Sequence, residues 1–575
     1  MIIYVLMIQL SGFTQDNKKS ASNTFCNPLN LSYRFQPDLP SRREAADPTV
    51  ISFKNNYILF ASKSGGYWSS QELTDWNFVK SEGIPTEDYA PTAIVLNDTV
   101  YFLASSGTKC AIYKTNDPLS GKWSIAVDSL DIPVTDPAFF LDDDGRLYLY
   151  WGCSNRNPIY GVELNYKNNF SFIGEPRELI FSNSSSYGWE VPGDYNTIYK
   201  AKYWYSGTWV EGAWMNKING IYYLQYAVPG TEFKSYADGL YTSNTPLGPF
   251  KLAENNPFSY KPEGFINGAG HSSTFQDKYG NYWHISTMSI SVKHQFERRL
   301  GLFPAFVDKD GIFYTYTSFG DFPHIVPQKK MEGPDEYQPA DMLLSYNKPV
   351  EVSSSLPEHP KGNITDENIR EYWSAETGSK GEWVIVDLLN SCKVNSVQVN
   401  FAEEGCKLFS RSDSIYHQYL IEYSNDKKTW EKLVDKTINR TDIPHDYVEL
   451  QASVNARYIR LTNYHVPDGK LAISGLRVFG KGNGKLPQNV SSFTALRDAA
   501  DARHVTLTWH KSSDATGYNI RYGSKLNKLY LNYQVFNTDT LTINSLNKLE
   551  DYYFTIDTFN ENGITKGEVI QVANK

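Results

Sequence analysis

The sequence predicts an all-β chain: a five-bladed β-propeller followed by two β-sandwich domains. Three observations carry that expectation. One local pattern recurs five times between residues 47 and 288. Turn residues punctuate the chain at close intervals between short apolar runs. No stretch of useful length in the repeat region has the period of an amphipathic helix.

The repeats open at Asp47-Pro48-Thr49, Ala90-Pro91-Thr92, Asp136-Pro137-Ala138, Glu211-Gly212-Ala213 and His271-Ser272-Ser273. Each lead residue begins an apolar run. A turn follows, then a second run rich in aromatics that starts at Tyr57, Tyr101, Tyr148, Tyr222 or Tyr282. The turns (Lys54-Asn55-Asn56, Asn97-Asp98, Asp142 to Gly145, Asn219-Gly220, Asp277 to Gly280) read as hairpins. The tyrosine spacing is irregular: the first two intervals fall in the propeller range of about 40–50 residues, and the longest, from Tyr148 to Tyr222, leaves room for an inserted loop. Residues 26–330 are therefore assigned to the propeller, with Asp47, Asp136, Glu211 and His271 in equivalent places around its axis.

Residues 331–341 have linker character. Alternating strand patterns fill 342–480, including Trp383-Val384-Ile385-Val386 and Tyr458-Ile459-Arg460-Leu461, as in a β-sandwich. A second linker leads to 487–575, which has the length and strand spacing of a small sandwich. There Trp509 lies in an alternating strand, and Leu546 precedes Tyr552 at the spacing of a tyrosine corner.

A chain of 575 residues is too long for one core. Its net charge of −9 argues against a nucleic-acid binder, which needs a basic face. Aromatics make up 15%, which suits strands and also suits stacking on sugar faces. Five scattered cysteines form neither a zinc motif nor a disulfide framework, and whether Cys392 and Cys406 pair stays open. Residues 1–10 are apolar and a polar stretch follows, so residues 1–20 read as a secretory signal whose basic start is missing. An exported protein is expected: periplasmic, cell-surface or extracellular. No segment is long and apolar enough for a transmembrane helix.

The chemistry expected rests on Asp47, Asp136 and Glu211. Hydrolysis of a glycosidic bond needs a carboxylic acid to protonate the leaving oxygen and a carboxylate to activate water or attack the sugar. A third carboxylate raises the acid's pKa by repulsion. A single Asp-Pro is more often a turn, with the Asp capping backbone groups. In-register repetition favours the functional reading. Glu190 is a rival acid, but it lies out of register. His271, in a glycine-rich turn, is either structural or aimed at the axis.

These motifs, together with Ser70-Gln71-Glu72-Leu73-Thr74-Asp75-Trp76, Ser243 to Phe250 and Gly270-His271, resemble glycoside hydrolase family 43 over roughly residues 26–328. The resemblance implies an inverting five-bladed propeller in which Asp47 is the general base, Glu211 the general acid and Asp136 the residue that tunes and orients the acid. It places a calcium or similar ion near His271, held through water, and requires no other cofactor. It brings Arg298 to the sugar pocket, with Arg299 as the competing assignment. The implied substrate is an oligo- or polysaccharide carrying terminal α-L-arabinofuranose. β-D-Xylosidase and exo-β-galactanase are the alternatives, and a non-catalytic glycan-binding protein is the alternative of another class. Trp68, Trp189, Trp204, Trp209 and Trp214 are candidates for the sugar subsites, against the competing reading of blade packing. The unit 342–480 resembles the discoidin, or factor 5/8 type C, domain on Asn347-Lys348-Pro349-Val350, Tyr372-Trp373-Ser374-Ala375 and Arg457-Tyr458-Ile459-Arg460. The unit 487–575 resembles a fibronectin type III module on Trp509, Leu546, Tyr552, Asn560 and Gly563.

Overall fold

A computed structural model describes residues 23–108, 110–192 and 207–572. The expected signal segment and Trp204 lie outside the described residues. The chain is nearly all β, and five antiparallel meanders form its first half, four of them four-stranded and the fourth extended by a short fifth strand, Ser259–Tyr260. Their first strands are Ala46–Phe53, Thr92–Leu96, Ala138–Leu141, Glu211–Ile218 and Asn267–Gln276. Each first strand packs on the next, and the fifth packs on the first, which closes the ring. The hairpin turns behave as their residues dictate. Asn97, Asp98, Asn219 and Gly220 are all left-handed, as a two-residue turn that matches strand twist requires.

The blades bury their own aromatics. Trp68 and Trp283 are fully buried in one core with Tyr33 and Leu59, and Trp189 packs with Tyr148, Tyr150 and Tyr226 in another. The end of the chain's first turn seals the ring: Asn27 donates to the Leu302 and Gly320 carbonyls at 3.0 and 2.8 Å.

The next unit is one wrapped antiparallel sheet from Met342 to Lys481, in which two long strands, Trp383–Ala402 and His445–His465, run through the centre. Trp373, Val384, Val386, Ile459 and Val478 fill it. Arg457 and Arg460 lie on its strands, paired with Asp387 and Glu422. The last unit packs a three-stranded sheet (Ser491–Arg497, Val505–His510, Thr540–Ile543) on a second sheet built around Gly517–Gly523 and Tyr552–Asn560. Trp509 and Leu546 are buried in its core, and the Tyr552 hydroxyl accepts the Asn547 N–H at 3.0 Å. All five cysteines are free thiols.

Both sandwiches are fastened to the propeller. Tyr530 stacks on Tyr314 at 3.6 Å and the Trp189 ring nitrogen donates to Asn547 at 3.0 Å. On the other sandwich, Arg43 reaches Glu403 and Asp442.

Candidate active site

The lead residues share an unusual backbone. Asp47, Ala90, Asp136 and His271 have φ of 51°, 44°, 49° and 45°, in the left-handed region that L-residues seldom enter. Asp47 and His271 sit in bulges of their first strands, and Ala90 and Asp136 lie two residues before theirs. In the first blade, Ala46 pairs with Ser62 and Thr49 with Phe60, so Asp47 and Pro48 are left over. A hydroxyl from the preceding blade accepts the lead N–H in three blades: Thr287 for Asp47 at 2.7 Å, Ser62 for Ala90 at 2.6 Å and Ser105 for Asp136 at 2.8 Å.

The fourth blade corrects the expected register. Glu211 pairs with Ala227 and Trp214 with Gln225, which makes Gly212, with φ of 57°, the lead residue. Glu211 is equivalent to Ala46, one place earlier. The reason is steric. A Cβ on Gly212 would lie 2.7 Å from the His271 ring, so no side chain fits at the lead position and the carboxyl comes from its neighbour. Glu211 still reaches the axis.

Asp47, Asp136, Glu211, His271 and Arg298 line one cavity of about 600 Å³ at the centre of the ring. Tyr89, Trp209 and Phe296 supply its aromatic wall, and Cys153, Glu232 and Gln295 add polar groups. Carboxyl oxygens of Asp136 and Glu211 and the Cys153 sulfur lie within 4.8 Å of one another.

The surroundings of the carboxyls differ. Asp47 is buried, which by itself would raise its pKa. Arg298 at 3.1 Å, His271 at 3.3 Å, and the Ser62 and Thr287 hydroxyls outweigh that and hold it below the ordinary carboxylate value. Burial pushes Asp136 up to about 7; His271 pulls against this, while the charges of Glu211 and Asp47 add to it. Glu211 receives the Tyr236 hydroxyl at 2.7 Å on one oxygen and the Cys153 thiol at 3.3 Å on the other. Burial pulls the His271 imidazole down, but Asp47, Asp136 and Glu211 together raise its pKa above the ordinary value. The cavity therefore offers one carboxylate held ionised, Asp47, and a second, Asp136, whose burial favours the protonated form up to about pH 7.

Arg298 is fixed by Glu44, which accepts from its Nη2 at 2.6 Å and its Nε at 3.2 Å. Arg299 points away and donates to His445 at 2.8 Å. Three of the expected sugar-binding tryptophans are elsewhere. Trp68 and Trp189 are fully buried because blade packing claims their rings. Trp214 is half-buried beside the fourth blade's core and donates to the Thr274 carbonyl at 2.9 Å. Trp209 is the one that lines the cavity among the described residues. Glu190 is buried away from it, against the Tyr226 hydroxyl at 2.5 Å.

The residues do not fit an ion at His271. Its ring already faces Asp47 and Asp136, at 3.3 and 3.7 Å. Among the described residues, the His, Cys, Asp and Glu donors close enough to share an ion are Asp136, Cys153 and Glu211, without His271. A calcium ion takes about 6–8 oxygens, and among the described residues the side-chain carboxylates beside the imidazole are those of Asp47 and Asp136, which already face its Nδ1.

Glu44, Cys153 and Tyr236 are absent from the sequence-based site. Cys153 carried a readable signal: it follows Tyr148 by the interval that separates Ser62 from Tyr57 and Thr287 from Tyr282.

The model of the glycosyl hydrolases family 43 matches residues 41–313, and that of the F5/8 type C domain matches residues 349–474. The chain is 32% identical over 287 residues to a β-D-galactofuranosidase, xynD, of Aspergillus niger, covering 42% of this chain and 72% of that protein. It is 28% identical over 162 residues to a β-xylosidase of Xylanibacter ruminicola, covering 23% of this chain and 41% of that protein. A solved glycoside hydrolase structure aligns over 78% of this chain and 99% of its own, with 19% identity and a TM-score of 0.46.

Proposed function

Since the chain belongs to family 43 of the glycosyl hydrolases, we propose that it is an inverting, exo-acting glycosidase that releases terminal α-L-arabinofuranose from plant polysaccharide or arabinogalactan side chains. The observation that carries this reading is the division of labour in the axial cavity. Asp47 is kept ionised by Arg298 and His271, while Asp136, beside Glu211, is pushed up to about 7 by burial.

In this mechanism Glu211 protonates the leaving oxygen. Asp47 takes a proton from a water that attacks the anomeric carbon from the opposite face, so configuration inverts. Asp136 lies next to Glu211 and accepts the Gly212 N–H, which fixes the strand carrying the acid. Arg298 and His271 keep Asp47 anionic until it accepts the proton. Tyr236 and Cys153 hold the Glu211 carboxyl in one rotamer. Tyr89, Trp209 and Phe296 offer apolar surface to the sugar ring.

A second reading is favoured by the name of the Aspergillus relative: a β-D-galactofuranoside has the same five-membered ring geometry as an α-L-arabinofuranoside, with a longer exocyclic arm. A panel of nitrophenyl arabinofuranoside, galactofuranoside and xylopyranoside, with product anomers followed by NMR, tests both. Turnover of the arabinofuranoside with inversion supports the first reading. Preference for the galactofuranoside selects the second, and retention of configuration rejects the roles given to Asp47 and Glu211. The final sandwich is read as a fibronectin type III-like spacer, supported by its buried Trp509 and the Tyr552 corner, and the chain as an exported protein.

A further inference from the structure

The short strand Arg43–Glu44 and the opening of the strand Arg298–Val307 both carry a pair of residues that face opposite ways. Glu44 and Arg298 turn toward the cavity and bind each other, and Arg298 binds Asp47. Arg43 and Arg299 turn toward the middle sandwich. Arg43 is fully buried; its Nε meets Glu403 at 2.5 Å and its Nη1 meets Asp442 at 2.7 Å. Both anions come from the middle sandwich. Arg299, equally buried, donates to His445 of the same sandwich at 2.8 Å and to the Arg43 carbonyl at 2.8 Å. The Ala45 N–H donates to the Arg298 carbonyl at 3.3 Å, tying the two segments together. On the sandwich side, the His445 Nδ1 is in turn held by Asn400 at 2.9 Å.

We propose that the middle sandwich is a working part of the active site: Glu403 and Asp442 anchor Arg43, His445 anchors Arg299, and these anchors fix the Glu44–Arg298 pair that positions Asp47. The proposal rests on Asp47 being the base. Glu403, Asp442 and His445 touch no reacting atom, so they are positioning residues.

The physical reason is that a buried guanidinium is stable only with partners, and leaving one unpaired is strongly unfavourable. If the sandwich anions lose their charge, Arg43 must move to find water or another anion. Its neighbour Glu44 moves with it, because one peptide unit joins them. Arg298 then loses the fork that holds it, and Asp47 loses both its placement and the cation that keeps it ionised. A shift of about 1 Å at a catalytic group is enough to cost on the order of 100-fold in rate. The charged or titratable groups that face Asp47 are Arg298, His271, Asp136, Glu44, Tyr89 and Tyr236; those that face Arg43 are Glu403, Asp442, Arg299, Arg411, His445 and His417.

The test uses the full chain and the nitrophenyl glycoside that it turns over fastest. Glu403→Gln with Asp442→Asn keeps the shapes and removes the charges. We expect kcat to fall about tenfold with KM within about twofold. We also expect the acidic limb of kcat/KM to move up by about half a pH unit, as Asp47 loses its cation. Asp442→Asn alone gives the same changes in smaller measure and is the readout if the double variant does not fold. Tyr447→Phe, which removes a hydroxyl contact with Thr24 at the same interface, should lower Tm and leave kcat and the acidic limb unchanged. If the charge variants also lower only Tm, the coupling is overturned. Asp47→Ala separates the failures: activity retained in that variant overturns the base assignment itself.

Discussion

Gly212 and His271 occupy a single allowance of space at the propeller axis: a Cβ on Gly212 would lie 2.7 Å from the imidazole Cγ. The Gly212 backbone is also left-handed, at φ 57°. Gly212→Ala therefore meets both a clash and a disfavoured backbone, together worth more than the about 1 kcal/mol of backbone strain alone. The imidazole must shift away from Asp47. The expected outcome is a loss of at least about tenfold in kcat, measured beside a Tm that falls by only a few degrees, since the blade core is untouched.

The Cys153 thiol, raised by burial and by the charges of Asp136 and Glu211, stays protonated and donates to Glu211. It should resist iodoacetamide at neutral pH, because the thiolate is the reacting form. Cys153→Ser keeps a donor and should hold activity within about threefold, whereas Cys153→Ala should lose about tenfold in kcat, as expected when one partner of a buried hydrogen bond is removed. Steady-state kinetics of the two variants checks the contrast.

The pH dependence follows from opposite shifts. Asp47 is depressed, so the acidic limb of kcat/KM should lie below the ordinary carboxylate value. Asp136, pushed up to about 7 by burial, ionises there beside Glu211, which should set the alkaline limb. Asp136→Asn removes the group that titrates there, so the alkaline limb should no longer lie near pH 7, and kcat should fall.

Stability should move the other way in that same variant. A carboxyl raised from its unfolded value to about 7 binds more protons folded than unfolded across that window, so it costs stability as pH rises through it. Asp136→Asn should therefore raise Tm at pH 8 relative to the native chain and leave it nearly unchanged at pH 4. Calorimetry at the two pH values decides this.

The tryptophans divide by place. Trp209→Ala should raise KM several-fold with little change in Tm, because its ring lines the cavity. Trp189→Ala removes a fully buried ring and should cost about 3–5 kcal/mol, seen as a large fall in Tm.

How far the sequence could be read follows from what each signal reports. The repeats were legible because every blade opens with the same left-handed backbone and so the same short motif, and Asp47, Asp136 and His271 stand in register. The register failed at Glu211 because the motif was read from residue types. The feature it encodes is a left-handed backbone, which Gly212 satisfies better than any carboxylate. The aromatic candidates Trp68, Trp189 and Trp214 failed for a different reason: composition says that rings are present, and only packing says which face they turn. Glu44, Tyr236 and the acids Glu403 and Asp442 were out of reach, since their partners lie tens to hundreds of residues away.

That last separation has a consequence in time. Arg43 leaves the ribosome long before residues 403 and 442 exist, and Thr24 must wait for Tyr447. The propeller can form its blades as they are made, yet its opening segment stays without its final partners until the middle sandwich has emerged. Such late, long-range closure slows maturation and leaves a nascent chain exposed meanwhile. A release of the first half alone would thus yield blades that lack the clasp their own beginning was made for.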